Sequence, residues 1–192
     1  MKKNEQGQVI IIVAVLLVVV LTILAVIIDG ARLLVEQQEI NRAADAAGKA
    51  GLIVVGDQMV TQVVAAQTAA ASITLTATPI GSTPGPTLTP TPAADDFFSW
   101  INNDHRLTLV APPMQTLVAT HVMGSAEEND HGLSNPVITG LEINYPDHYL
   151  IGDQNIQIDV RINRVVAIMF GALFNLEEGA LSGNTKQNIP QR

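Results

Sequence analysis

The residues that could support catalysis or metal binding are four histidines and a scattered set of carboxylates. No two histidines stand four residues apart and none lies in a His-Glu-x-x-His arrangement, the spacing with which one helix face presents two imidazoles to zinc. The chain has no cysteine, which excludes thiolate chemistry, Cys-ligated zinc and disulfide bonds. We therefore expect surface or loop positions for the histidines, which are His105, His121, His131 and His148.

The carboxylates form no recognisable motif. The segment from Glu127 to His131 concentrates oxygen ligands, but it lacks the alternating Asp/Asn positions and closing Glu of an EF-hand loop, so we expect a solvated acidic loop. Nothing in the sequence positions Asp147 against Asp153. No nucleophile elbow, phosphate-binding loop or dinucleotide fingerprint is present. The sequence therefore predicts no enzymatic activity, no cofactor, no metal site and no small-molecule substrate.

The charge of the chain is unevenly distributed. Residues 1–56 carry five acids and five bases, whereas residues 57–192 carry thirteen acids and five bases, so the net charge of −8 belongs to the second part. An acidic surface repels phosphate backbones and anionic headgroups. This excludes nucleic acid as an expected partner.

A membrane span is the clearest element. From Val9 to Ile28 there are twenty residues without a charge, enough to cross the roughly 30 Å hydrocarbon core as a helix. Lys2 and Lys3 precede the run, so the positive-inside rule places a head of residues 1–8 in the cytoplasm and the remainder outside. We expect a single-pass protein of the inner or cytoplasmic membrane. A cleaved signal peptide is the alternative, but the apolar run is longer than such peptides use.

A helical stalk is expected over residues 29–75, since no proline interrupts the sequence there. The pair Gly56-Asp57 is the expected break, with a second helix or a bent continuation after it. Within the stalk, a block of small residues would allow close backbone approach, either to a partner helix or to the protein's own sheet. We take these residues as candidate helix-interaction positions: Ala43, Ala44, Ala46, Ala47, Ala50 and Gly51.

A set of short motifs is spread over the first 55 residues or so, around the apolar span. Its positions are Gly7, Gln8, Asp29, Gly30, Arg32, Asn41 and Asp45, the last two within Asn41–Ala47. In order and spacing these motifs resemble the TadE/TadG-like proteins of the Flp (Tad) pilus assembly system, which have a short basic head, Gly-Gln, an apolar span, Asp-x-Gly-Arg-like residues and an Asn-x-Ala-Asp-Ala-Ala block. The resemblance implies a membrane-anchored assembly component whose partners are the membrane and other pilus or secretion-apparatus subunits, contacted by helix packing.

Proteolytic processing is a further implication of the resemblance. Pilin-like members are cleaved after a glycine and carry Glu at the fifth mature position, so Gly7-Gln8 is the candidate processing site. If that bond were cut, the fifth residue would be Ile12, and no glutamate lies in the span. The chain therefore looks more similar to the unprocessed TadG-like anchors.

A change of composition follows the stalk. Residues 76–94 contain six Thr, five Pro and two Gly, which favour extended polyproline II structure and cannot build a core. We expect a linker or a loop insertion there.

Residues 95–192 are expected to form a small ectodomain. The segment 95–103 predicts a short helix, and alternation predicts strands at 107–110, 116–122, 137–143 and 156–162. In the last of these, one face is wholly aliphatic, which is typical of a sheet solvated on its other side. The apolar run Val165–Phe174 is too short to span a membrane and is predicted to be a helix covering the sheet.

The sequence as a whole predicts an α+β protein: a transmembrane helix continuing as a stalk, then a small, mostly antiparallel sheet domain with one or two packed helices. The expected function is that of a structural component of a Flp/Tad-type pilus assembly or secretion apparatus, as a minor pilin-like protein or a TadG-like anchor. The alternative is a membrane-tethered extracellular binding or sensory module.

Overall fold

One long helix is followed by a small domain that folds back along it. The computed structural model describes residues 5–76, 97–129, 138–150, 155–171 and 175–190. The helices are α1 (Glu5–Thr76), α2 (Asn103–Leu109) and α3 (Pro112–Glu128), with a 3-10 turn at Phe97–Trp100 before α2. The strands are β1 (Ile138–Asn144), β2 (Asn155–Ala167) and β3 (Glu178–Pro190). The predicted α+β class, with a long apolar N-terminal helix and a small antiparallel sheet, is confirmed.

Helix α1 runs without interruption for 72 residues, about 110 Å at helical rise. Its first part is long and apolar enough to cross a membrane, and the large side chains from Val9 to Ile28 are exposed. The predicted break at Gly56-Asp57 is wrong, because both residues lie inside the helix. A mid-helix glycine costs about 1 kcal/mol, and burial of Val55 and Met59 on either side of Gly56 offsets it.

The sheet has the order β1-β2-β3, and both neighbouring pairs are antiparallel. The aliphatic face predicted for the central strand is confirmed, since Ile156, Ile158, Val160 and Ile162 are each at most 1% exposed. On the other face, Arg161 is exposed. Helices α1 and α3 cover the aliphatic face, and the core lies between these two layers.

Two of the predicted strands are wrong, because residues 107–110 and 116–122 belong to or border α2 and α3. A proline pair at the start of α3 suits a helix N-terminus, where the missing N–H groups need no partner. The residues of α3 that become buried are then spaced by four: Met114, Val118, Val122 and Ala126. This four-residue spacing puts them on one helix face, and it overrides the short local alternation.

The predicted helix over 95–103 is also wrong in its extent. Within the described part of that segment, Phe97–Trp100 form a 3-10 turn, residues 101 and 102 are not helical, and α2 begins at Asn103. The boundary is fixed by a capping box: Asn102 Oδ1 accepts from the His105 backbone N–H at 2.9 Å, and His105 Nδ1 lies 3.4 Å from the Asn102 backbone N. His105 therefore has a structural role at a helix start.

The helix predicted over Val165–Phe174 is wrong for the residues that the structure describes. Val165–Ala167 complete β2, and Ile168–Phe170 form the loop after it, while 172–174 lie outside the described residues. The apolar run is split because β3 pairs with β2 as far as Ala167. The linker prediction for 76–94 concerns residues that, after Thr76, also lie outside the described part of the chain.

Candidate functional site

The block of small residues in α1 faces the chain's own domain, the second of the two partners that the sequence allows. Ala43, Ala44 and Ala47 are at most 1% exposed and belong to the core. A Cβ placed on Gly51 would lie 2.6 Å from Ile158 Cδ1 of β2 and within 3 Å of α3. Small side chains here let the sheet and α3 approach the helix backbone closely. Ala46 and Ala50 lie at the margin of this contact and are half-buried.

Polar residues of the same helix bind the edge strand β3. Asp45 Oδ1 accepts from Gln187 Nε2 at 2.9 Å, while its other oxygen pairs with Lys49 at 2.6 Å. About two turns below, Gln37 Nε2 donates to the Ser182 carbonyl at 2.9 Å and to Asn41 Oδ1 at 3.2 Å. The Asn41 and Asp45 positions of the family pattern therefore stand beside, or in, the contact between α1 and β3.

The other positions that resemble the TadE/TadG-like pattern lie further toward the N-terminus of α1. Gly30 is exposed and has open space around it, and Arg32 is half-buried. Gly7 and Gln8 lie in the first turns of α1, where only the backbone is described. The structure thus brings Asp29 and Asp45 into contact with the domain, places Asn41 beside Gln37 on the same helix, and leaves the candidate processing site at the far end of the apolar segment.

A buried ion pair, which sequence reasoning missed, joins α1 to the central strand. Arg164 Nη1 donates to Glu36 Oε2 at 2.9 Å, and both side chains are fully buried. A signal for it was present in the sequence. Alternate residues of β2 from Ile156 to Ile162 face the core, and Arg164 is the next residue in that alternation. Glu36 lies one helical turn before the buried Ile40.

Asp29 binds the loop between β2 and β3. Its two carboxylate oxygens accept from the backbone N–H groups of Met169 at 3.2 Å and Phe170 at 2.8 Å, and Asp29 itself is only 8% exposed. This is the first charged residue after the apolar segment, so it joins the end of that segment to the end of the sheet. The side chains of these two loop residues are apolar, and Met169 is 64% and Phe170 37% exposed.

A lysine on β3 pairs with two carboxylates at the solvated face of the sheet. Lys186 Nζ lies 3.1 Å from Asp147 Oδ2 and 3.6 Å from Asp159 Oδ2. The hydrogen bond to Asp147, and then the charges of Asp147 and Asp159, raise the pKa of Lys186. The amine is therefore held protonated, which suits an ion pair and opposes its use as a nucleophile or base.

Metal-ligating side chains do not converge in the described ranges, where no three His, Asp or Glu side chains could hold one ion. His121 and His148 are exposed, and His148 Nε2 lies 3.5 Å from Asp147 Oδ1. His131 and Asp153 lie outside the described residues, as does part of the acidic segment that begins at Glu127.

An exposed apolar stripe lies on the C-terminal half of α1. Ile53, Val60 and Val64 are between 51% and 65% exposed. Their spacing of seven and four residues puts them within about 40° of one another around the helix. We call these three residues the outer stripe; it faces away from the domain.

Comparison with known proteins returned no match among family models, curated proteins or solved structures.

Proposed function

We propose that this chain is a membrane-anchored structural component of a Flp/Tad-type pilus assembly or secretion apparatus. In this proposal its N-terminus is cytoplasmic, its domain lies outside, and other subunits pack against α1. It performs no chemistry of its own. The observation that carries the proposal is the unbroken helix, which joins an exposed apolar segment to a domain folded along its flank.

The attachment between α1 and the domain supports a mechanical role. Contacts follow the helix from Asp29, through Glu36 and Asp45, to Gly51, so the domain is held over about six turns. A domain held at so many levels cannot swing on its anchor as a tethered binding head does. Movement or force applied to the domain would therefore pass directly to the membrane helix.

The surface available to other subunits is different from the small-residue block. Ala43, Ala44 and Ala47 are already covered by the chain's own sheet, so they are not available to a partner helix. The apolar segment from Val9 to Ile28 and the outer stripe remain exposed. We place helix packing between subunits on these two surfaces, which lie on the same helix and are separated by residues 29–52.

The resemblance to TadE/TadG-like proteins is what selects a Flp/Tad-type apparatus among membrane assemblies. The positions that carry the resemblance include residues that attach the domain to the helix, namely Asp29 and Asp45. A pattern that contains such attachment residues fits a fixed helix-and-domain unit with an architectural function.

Photo-crosslinking from the outer stripe tests this function. The full chain is expressed with its neighbouring genes, carrying benzoylphenylalanine at Val60, and adducts are identified by mass spectrometry. We expect a discrete adduct with another pilus or secretion-apparatus subunit. The matched control is Met123, which is 46% exposed on α3 and should give none.

The crosslinking results at Val60 and Met123 decide between the proposal and its failure. An apparatus subunit captured from Val60 and not from Met123 supports the proposal. Capture from neither position, equal capture from both, or capture only of proteins unrelated to such an apparatus would overturn it.

A further inference from the structure

We infer that the described residues of the loop between β2 and β3, 168–171 and 175–177, insert into the lipid interface beside the membrane helix, so that the domain touches the same membrane that anchors it. The described apolar residues of this loop are Ile168, Met169, Phe170 and Leu176, which we call the tip. The inference goes beyond the assembly role proposed above: it requires that the apolar segment of α1 span a membrane, but it requires no pilus partner.

The tip exposes apolar side chains where a hairpin connection ordinarily exposes polar ones. Met169 is 64% exposed, Leu176 is 58% exposed and Phe170 is 37% exposed. Connections between strands are usually rich in Gly, Asn, Asp and Ser, which suit turns and water. Large exposed apolar side chains grouped at one end of a domain mark a contact with something apolar.

The position of the tip along α1, at the end of the apolar segment, identifies that contact as lipid. Its backbone donates two hydrogen bonds to Asp29, the residue directly after Ile28 at the end of the uncharged segment. One turn further along α1, Leu33 Cδ2 would lie 3.6 Å from a Cβ on Gly179 of β3. The tip therefore lies at the level where the hydrocarbon core ends and the headgroups begin.

The orientation of the sheet directs only this end of the domain toward the membrane. Strand β2 runs antiparallel to α1, because Arg164 meets Glu36 and Ile158 meets Gly51. From Asp29 to Gly51 the helix rises about 33 Å, and ten residues of strand cover about the same distance. Leu150, which follows β1 and is described, consequently lies toward the far end of the sheet.

The charged residues of the tip segment itself are acidic. The described residues from 168 to 171 and from 175 to 178 include Glu177 and Glu178, both exposed, and neither lysine nor arginine. Acidic side chains gain nothing from anionic headgroups, so the contact depends on apolar burial at the boundary of a zwitterionic bilayer. The two glutamates remain in the headgroup layer, which makes the insertion shallow.

The absence of cysteine from the sequence allows a direct test on the full chain. Spin labels are attached to single-cysteine variants reconstituted in phosphatidylcholine vesicles, and collision rates are measured with oxygen, which concentrates in lipid, and with a water-soluble nickel chelate. We expect Met169→Cys to show a ratio of oxygen to nickel collisions severalfold higher than Leu150→Cys. Leu150 is the matched control, being apolar, 71% exposed and distant from the membrane end. Raising the salt concentration should leave the ratio at Met169 unchanged.

A third variant separates this inference from the membrane anchorage on which it depends. Val19 lies in the middle of the apolar segment, so a spin label on Val19→Cys should show the high ratio of oxygen to nickel collisions that indicates lipid. Lipid contact at Val19 with water contact at Met169 overturns the tip inference alone, and water contact at Val19 overturns the anchorage itself. A Met169 label shielded from both reagents indicates a protein covering the tip, and this also overturns the inference.

Discussion

Arg164 and Glu36 form an ion pair of 2.9 Å that is fully buried between α1 and the central strand. Removing two charges from water costs several kcal/mol per ion, and close pairing recovers most of that cost only when both partners are present. The pair therefore discriminates against other alignments of helix and sheet, since a shift along α1 would separate the buried charges.

Replacing Arg164 with Met should lower the free energy of unfolding of the domain by about 3–5 kcal/mol, because the Glu36 carboxylate stays buried without the guanidinium. Denaturant unfolding of the reconstituted full chain measures the loss. The chain's single tryptophan, Trp100, packs against the core and reports domain unfolding by its fluorescence.

The double variant Glu36→Met/Arg164→Met distinguishes charge from packing. Removing both charges eliminates the cost of an isolated buried carboxylate, so the double variant should be more stable than Arg164→Met alone. A double variant as unstable as the single one would show that lost packing, rather than an uncompensated charge, explains the effect.

Close approach of β3 to α1 makes Gly183 intolerant of any side chain. A Cβ at this position would overlap Ile40 Cγ2 and would lie 2.8 Å from the Ile40 carbonyl oxygen, which cannot move away as a side chain can. We expect Gly183→Ala to lower the free energy of unfolding by about 1–3 kcal/mol. The measurement is again Trp100 fluorescence in denaturant.

The same substitution at Gly56 is the control for that prediction. Gly56 lies in the interior of α1, and a Cβ there meets nothing within 4 Å. Gly56→Ala should therefore stabilise the helix by up to about 1 kcal/mol. Opposite signs at the two glycines support the close approach, whereas equal tolerance would contradict it.

The elements that the sequence predicted correctly are those whose pattern is local and strong. Twenty uncharged residues specify the apolar helix, and strict alternation from Ile156 to Ile162 specifies the inner face of β2. Strand β3 escaped prediction because its residues are mostly polar and small, with no apolar alternation. It forms because the edge of β2 offers hydrogen-bonding partners along its whole length, from Asn155 to Ala167.

The candidate site was predictable only where its residues belong to one helix. Small residues at 43–51 signalled a close contact, but nothing local could say whether the partner was another helix or the chain's own sheet. Contacts such as Glu36 with Arg164, or Asp29 with Phe170, join residues more than 120 positions apart. They depend on how the helix and sheet align, which the periodicity of either element alone does not determine.

Alkaline pH should destabilise the domain through Tyr145. Its hydroxyl donates to the Leu109 carbonyl at 2.7 Å, and burial raises the pKa of this phenol well above its usual value near 10. The phenol stays neutral in the folded chain while it ionises in the unfolded chain. Its stabilisation is therefore complete below about pH 10 and declines above it, by at most about 1.4 kcal/mol per pH unit.

Tyr145→Phe should flatten that decline, at a cost of about 1 kcal/mol near neutral pH for the lost hydrogen bond. Unfolding curves measured from about pH 9 to 12 test it, with Tyr149→Phe as the matched variant at the other tyrosine. Some slope should remain, because the raised pKa of Lys186 acts in the same direction. A Tyr145→Phe variant that declined as steeply as the parent chain would contradict the assignment to Tyr145.

Asp29 should limit the local opening of the loop that follows β2. Its carboxylate accepts two backbone N–H groups, and hydrogen bonds to a charged acceptor contribute about 1.5–3 kcal/mol each. Asp29→Ala should therefore increase hydrogen exchange in the peptide containing Met169 and Phe170 by about tenfold or more. Mass spectrometry of the reconstituted chain measures this increase. Asp57→Ala is the control, since Asp57 is an exposed carboxylate of the same helix, remote from the loop.

Hydrogen exchange of the Asp29→Ala variant, measured in detergent and in bilayers, also tests whether lipid helps to hold the tip. If Asp29 alone orders the loop, exchange rises equally in both environments. If lipid also holds the tip, the increase in bilayers is smaller than in detergent, because Phe170 and Met169 remain buried at the interface after the carboxylate is gone. Exchange that is unchanged by Asp29→Ala in both environments would show that neither hydrogen bond limits the opening of this loop.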